Sequence, residues 1–97
     1  MAALSSKQNK FLRGLAHDLN PVVKMGQHGI TEAAIKEISR CLNDHELIKI
    51  RVACDEQAAF QEILAGIESA CGATTIDAIG HTVVLYKRSK TPKINLP

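Results

Sequence analysis

The chain has 97 residues, of which 45% are apolar, and a formal net charge of +2. This length suits one domain with one core. No run of about 18 apolar residues is present, so we expect no membrane-spanning helix. Residues 5–10 are wholly polar, unlike the apolar segment of a secretory signal peptide. We therefore expect a single compact domain over residues 1–97, with a carboxyl-terminal tail from about residue 89.

The charges are distributed unevenly along the chain. Residues 1–17 carry bases and no acid, residues 81–97 do the same, and residues 18–80 hold all ten acids. Two basic ends on a slightly acidic body indicate a polyanion-binding face if the fold brings the ends together. The alternative is that the terminal bases only keep the chain in solution.

The three cysteines, Cys41, Cys54 and Cys71, are odd in number and form no C-x-x-C pair. We expect small buried hydrophobic side chains in a reducing cytoplasm, rather than a disulfide or a metal site.

A first helix is predicted from residue 5 to about residue 17. Ser5 and Gln8 have the spacing of a capping box, and Phe11, Leu12, Leu15 and Ala16 form an apolar face. Lys7, Lys10 and Arg13 recur along another stripe. Asn20-Pro21 ends this segment, and Val22 and Val23 then favour a strand.

A second helix is predicted from Thr31 to about Asn43, followed by a turn at residues 43–45. Leu47 to Cys54 alternates as a strand, and Asp55 is the predicted cap of a third helix that ends at Gly72. Residues 74–79 and 82–87 are predicted strands joined by a hairpin turn at Gly80-His81. The expected fold is therefore α/β (α+β), with the order α-β-α-β-α-β-β and a four-stranded mixed sheet.

The stretch Gly26-Gln27-His28-Gly29 lies between the first strand and the second helix. Its glycines permit a tight turn and close approach, and the N–H groups of the helix start can bind an anion. That anion could belong to a small ligand or to a nucleic-acid backbone. The stretch is neither G-x-G-x-x-G nor a P-loop, so a nucleotide cofactor is poorly supported.

Catalysis is not expected. The four histidines, at 17, 28, 45 and 81, fall at predicted element ends and show no ligand spacing. Phe11 and Phe60 are predicted core residues, which leaves only Tyr86 to stack on a base. Recognition of RNA backbone through a glycine loop, as in KH modules, fits this composition better than base stacking.

Five short motifs occur in register along the chain. They are Leu15-Ala16-His17, Pro21-Val22-Val23, Gly26-x-x-Gly29-Ile30-Thr31, residues 45–49 (HELIK) and residues 79–86 (IGHTVVLY). Together they closely resemble the bacterial YhbY family, the stand-alone form of the CRM domain (chloroplast RNA splicing and ribosome maturation). The resemblance implies a fold similar to the C-terminal domain of translation initiation factor 3. It also implies RNA binding, association with large-subunit ribosome precursors, and RNA contacts by the glycine loop and first-helix bases.

These observations predict a cytoplasmic, non-catalytic RNA-binding protein that assists large-subunit assembly. The expected partner is ribosomal RNA; no membrane, small-molecule substrate, cofactor or metal is expected, and the chain is expected to be a monomer. The predicted RNA-binding residues are Gly26, Gln27, His28, Gly29, Lys7, Lys10, Arg13, Lys24, Lys87, Arg88 and Lys90. The alternative is a module that docks on a ribosomal or assembly protein without direct RNA contact.

Overall fold

A computed structural model describes residues 4–26, 29–88 and 94 of the chain. In order, its elements are α1 (Ser6–Ala16), β1 (Pro21–Met25), α2 (Glu32–His45), β2 (Leu47–Val52), α3 (Gln57–Cys71), β3 (Thr74–Ile79) and β4 (Thr82–Tyr86). The predicted order of helices and strands is confirmed. No helix within the described part of the chain is long and apolar enough to cross a membrane.

The four strands form one mixed sheet in the order β1-β2-β4-β3. β1 and β2 are parallel, while β4 is antiparallel to both of its neighbours. The α2 helix connects the parallel pair, and the Gly80-His81 turn closes the predicted β3–β4 hairpin. Consequently the carboxyl ends of β1 and β2 and the hairpin turn all lie at the same end of the sheet. We call this the loop end of the sheet.

Helices cover the two sheet faces unequally. On the inner face, α2 and α3 pack on alternate strand residues to form the main core, which includes Ile38, Ile50, Ile67 and Leu85. On the outer face, α1 buries Leu12 and Ala16 against a smaller set of strand residues, namely Leu47, Val84 and Tyr86. Because a single short helix cannot span the whole face, the strand ends near residues 24 and 51 are left uncovered by the described residues.

Several boundaries differ from the prediction for visible reasons. The α2 helix ends at His45, two residues later than predicted. The next residue, Glu46, has a φ of 63° in the left-handed region, and this conformation ends the helix. The N–H of Glu46 donates to Leu42 O at 2.8 Å, and its own carbonyl accepts from Lys87 N at 2.9 Å. β2 ends at Val52 rather than at Cys54.

The cap of α3 was predicted at Asp55, and this is wrong. Glu56 is the N-cap, and its carboxylate accepts a hydrogen bond from Ala58 N at 3.1 Å. The Asp55 carboxylate instead lies 2.8 Å from Nε2 of His81. The predicted cap of α1 is confirmed, because Ser5 and Gln8 form a complete capping box. Gly72 ends α3 in the left-handed conformation, as predicted.

The predicted core needs one correction. Phe11 is 38% exposed, since it lies on the flank of α1 rather than on the face that contacts the sheet. The three cysteines are buried free thiols, as predicted. The tail predicted from residue 89 lies outside the described residues except for Ile94, which packs against the outer-face cluster.

Candidate nucleic-acid interface

The glycine loop leaves the sheet directly after β1. Gly29 has a φ of 79°, a conformation that glycine adopts far more easily than any residue with a Cβ. Its N–H donates to Gly26 O at 3.3 Å and so closes the turn. Gln27 and His28, which were predicted to belong to this site, lie outside the described residues. The positive φ therefore explains the glycine at position 29.

The two ends of the loop are held differently. Ile30 lies directly over Gly66 of α3. If Gly66 carried a Cβ, that atom would stand only 2.3 Å from Ile30 Cδ1. A Cβ on Gly29 would stand 3.9 Å from Cγ1 of Ile63, also on α3. A Cβ added to Gly26 would meet no atom of the described residues within 4 Å. The carboxyl end of the loop is thus anchored to α3, and no described residue obstructs an approaching ligand at Gly26.

The start of α2 carries its own charge and cap. Thr31 Oγ1 accepts a hydrogen bond from Ala34 N at 3.1 Å, which satisfies one of the N–H groups predicted to bind phosphate. Glu32 stands in the first helical turn and pairs with Lys36 at 3.3 Å. Because a carboxylate already lies at the positive end of the helix dipole, we expect basic side chains around the loop to supply most of the attraction.

The nearest such cation is Lys24, which precedes the loop by two residues. It is exposed on the outer face, and its Cα partner on β2 is Arg51, also exposed. Lys49 points to the same face, two residues earlier on β2, and its Nζ lies 3.5 Å from His17 O. The sequence prediction included Lys24 but missed Lys49 and Arg51. Their alternation with Ile48, Ile50 and Val52 was visible, but the uncovered part of that face depends on where α1 docks.

The α1 bases are exposed, as the predicted stripe requires. Lys7 and Lys10 lie on the side of the helix away from the sheet, whereas Arg13 in the last turn reaches towards it. Arg13 lines a groove of about 400 Å³ together with Lys49 and His17 of the same outer surface. Of the three predicted α1 residues, therefore, Arg13 is grouped with the uncovered strand ends.

The basic end of the last strand is not beside the loop. Lys87 and Arg88 follow β4 at the opposite end of the sheet, where β2 begins, since Leu47 pairs with Tyr86. Lys87 packs its side chain beside Gly72 at the end of α3. The five residues of β4 separate Lys87 from the loop end of the sheet, a distance of about 17 Å. Lys90 lies outside the described residues.

Tyr86 is not available for stacking, contrary to the prediction. Only 4% of it is exposed, because it lies under α1 in the outer-face cluster. Burial and then the neighbouring Glu46 carboxylate, which also accepts a hydrogen bond from the phenol, raise the pKa of Tyr86. Within residues 4–26, 29–88 and 94, no three His, Cys, Asp or Glu side chains form a group that could hold a metal ion.

Residues 4–87 match the CRS1/YhbY (CRM) domain, and the chain belongs to this family. An RNA-binding protein of Haemophilus influenzae is 47% identical over 97 residues, which is all of this chain and 98% of that one. A Bacillus subtilis protein named as a probable RNA-binding protein is 36% identical over 97% of this chain and 99% of its own length.

A solution structure gives the same result for the fold. It belongs to a Staphylococcus aureus protein described as a candidate RNA-binding protein, and it is 34% identical. The TM-score is 0.84, with 98% of this chain and 100% of that chain covered. The family resemblance read from the five motifs is therefore confirmed.

Proposed function

We propose that this chain is a cytoplasmic, non-catalytic RNA-binding protein that associates with precursors of the large ribosomal subunit and assists their assembly. The observation that carries the proposal is the position of Gly26, which no described residue obstructs, with Lys24 two residues away on an exposed face. The family and the names of its relatives support RNA as the ligand.

The proposed mechanism is recognition of the RNA backbone. Gly26 lets the backbone approach closely, and the N–H groups left free at the start of α2 donate to a phosphate. Lys24, Lys7, Lys10 and Arg13 add attraction that does not depend on base sequence. The single tyrosine is buried, so it does not provide a platform for stacked bases.

A salt titration of binding to purified large-subunit ribosomal RNA tests the proposal. A protein that neutralises Z phosphates loses affinity on a log–log plot with a slope of about −0.7Z to −0.9Z. We expect a steep slope, with Z of three or more, between about 50 and 200 mM salt. A flat response, or absence of binding to the naked RNA, would contradict it.

The role in assembly needs a separate experiment. Crosslinking in cells, followed by sequencing of the attached RNA, should recover large-subunit ribosomal RNA, and the protein should sediment with immature large subunits. Recovery of unrelated transcripts in proportion to their abundance would refute the assembly role while leaving RNA binding intact.

The second candidate function is docking on a ribosomal or assembly protein. It is favoured by three exposed apolar side chains beside β1, namely Leu15, Leu19 and Val22, which line a groove of about 490 Å³. Binding that requires ribosomal proteins, is insensitive to salt and is lost on Val22→Ser would select this function. The same substitution should leave binding to naked RNA unchanged if the first function is correct.

A further inference from the structure

We propose that the uncovered outer face of the sheet is a second RNA-backbone site, which binds the phosphates of the strand that leaves the glycine loop. Its residues are Arg13, Lys24, Lys49 and Arg51, which we call the outer basic patch. This inference rests on the proposed function and extends it, because it assigns RNA contacts to two β2 residues and excludes the basic end of β4.

The register of the sheet brings the patch together. Lys24 and Arg51 are direct Cα partners across β1 and β2, and adjacent strands lie about 4.8 Å apart. Lys49 and Arg51 are two residues apart on one strand, so they share a face at a separation of about 6.6 Å. Their neighbours Ile50 and Val52 are fully buried in the main core, which directs the basic side chains outwards.

The end of α1 completes the patch and limits it. Lys49 Nζ lies 3.5 Å from His17 O, where α1 ends, and Arg13 and Lys49 both line the groove of about 400 Å³. The carboxyl end of a helix dipole is negative, so a cation there is stabilised. Lys24 joins this cluster to Gly26, and the surface is therefore continuous from the loop to α1.

The patch cations differ from the two cations of α2 in making no ion pair with a described residue. On α2, Lys36 pairs with Glu32 and Arg40 pairs with Glu37. None of the four patch residues makes an ion pair within 4.0 Å among the residues that the structure describes. Two exposed like charges on neighbouring strands repel each other, by about 1 kcal/mol or less in water. A phosphate between Lys24 and Arg51 would replace this repulsion with attraction.

Two acids mark the borders of the patch. Asp77 of β3 lines the far wall of the groove, and Asp18 follows α1 beside His17. A phosphate would be repelled from both, which leaves the β1–β2 side as the path for the RNA. The exposed face thus offers one direction for the strand: from Gly26 across Lys24 and Arg51 towards Lys49 and Arg13.

The test compares two double variants with equal loss of charge. Lys49→Gln with Arg51→Gln removes two patch cations, and Lys36→Gln with Arg40→Gln removes two paired cations from α2. Each lost phosphate contact should make the salt slope shallower by about 1, so we expect a change of about 2 for the patch variant. The α2 variant should bind with the slope of the unmodified protein.

Stability gives an independent readout. Because removal of Arg51 relieves a like-charge pair, Arg51→Gln alone should melt no lower than the unmodified protein while binding RNA more weakly. A merely structural role for Arg51 would lower the melting temperature as well.

The possible failures are distinguishable. If the unmodified protein binds RNA without salt dependence, the proposed function fails. If it binds with a steep slope that the patch variant retains, the second site fails and the proposed function stands. An equal fall in both double variants would mean that only the net charge matters, and this also overturns the second site.

Discussion

The substitution Gly66→Ala tests how the glycine loop is held on α3. The added Cβ would stand 2.3 Å from Ile30 Cδ1, whereas carbon atoms in contact normally lie about 3.5–4.0 Å apart. Something must therefore move. Ile30 is 39% exposed, so its end can rotate into solvent and leave its place over α3. The loop then loses its contact with the helix while the core stays intact.

The free energy of unfolding should change little, because two effects oppose each other. Alanine in the middle of a helix is favoured over glycine by about 1 kcal/mol. Displacement of a partly buried isoleucine side chain costs about 1–2 kcal/mol. The net effect of Gly66→Ala is therefore a loss of about 1 kcal/mol or less.

The second substitution, Ile30→Val, separates these effects. It deletes the clashing Cδ1 atom, and the next nearest atom, Ile30 Cγ1, would lie 3.8 Å from the new Cβ, an ordinary contact. Alone, Ile30→Val should cost about 0.5–1 kcal/mol for one lost methyl group. In the Gly66→Ala background it should cost nothing, or should stabilise, since the valine can regain the contact.

Thermal melting of the four proteins measures this coupling. For a domain of this size, 1 kcal/mol corresponds to a shift of about 4–8 °C. We expect the double variant to melt no lower than Gly66→Ala, with a coupling of at least about 0.5–1 kcal/mol. If Ile30→Val lowers the melting temperature equally in both backgrounds, the two residues do not interact and the anchoring argument is refuted.

Three further predictions concern the two loop glycines and the buried phenol. Gly26→Asp should melt like Gly26→Ala, since a Cβ added at this position meets no atom of the described residues within 4 Å. Gly26→Asp should nevertheless bind RNA much more weakly by fluorescence anisotropy, and equal affinities would remove the loop from the interface. Gly29→Asp should weaken binding too, but it also costs about 1 kcal/mol of stability through its positive φ, which a thermal melt would detect. The raised pKa of Tyr86 should appear as an ionisation midpoint above 10 by ultraviolet absorbance, which is clean because the chain has one tyrosine and no tryptophan. Because the unfolded chain releases this proton first, stability should fall as pH rises above about 10, and Tyr86→Phe should remove that part of the fall; a midpoint at 10 or below would contradict the burial.

The order of elements was predictable because local signals agreed along the whole chain. Ser5 with Gln8, Thr31 and Gly72 mark helix ends through hydrogen bonds within a few residues, and the structure confirms each of them. The cap of α3 was less predictable, because Asp55 and Glu56 both qualify. The choice between them depends on His81, which is distant in sequence and contacts Asp55 across the turn.

The composition of the candidate site was predictable only in part. Gly26, Gly29 and Lys24 are local to one turn, and the structure keeps them together. The predicted grouping of distant bases was partly wrong. Arg13 lies near the exposed bases of β2, whereas Lys87 and Arg88 lie at the end of the sheet opposite to the glycine loop. The antiparallel pairing of β4 with β2 reverses the direction of the last strand, and sequence distance carries no information about that.

The sequence by itself determined the family, the succession of helices and strands, and the glycine loop, because these depend on short-range spacing and backbone preference. The tertiary structure alone decided which surface is basic and open. α1 packs over Tyr86 and buries it. Because α1 is too short to cover the rest of the outer face, Lys24 and Arg51 stay exposed. Which side chains remain in water depends on where that helix docks, and docking is the result of packing between residues far apart in the chain.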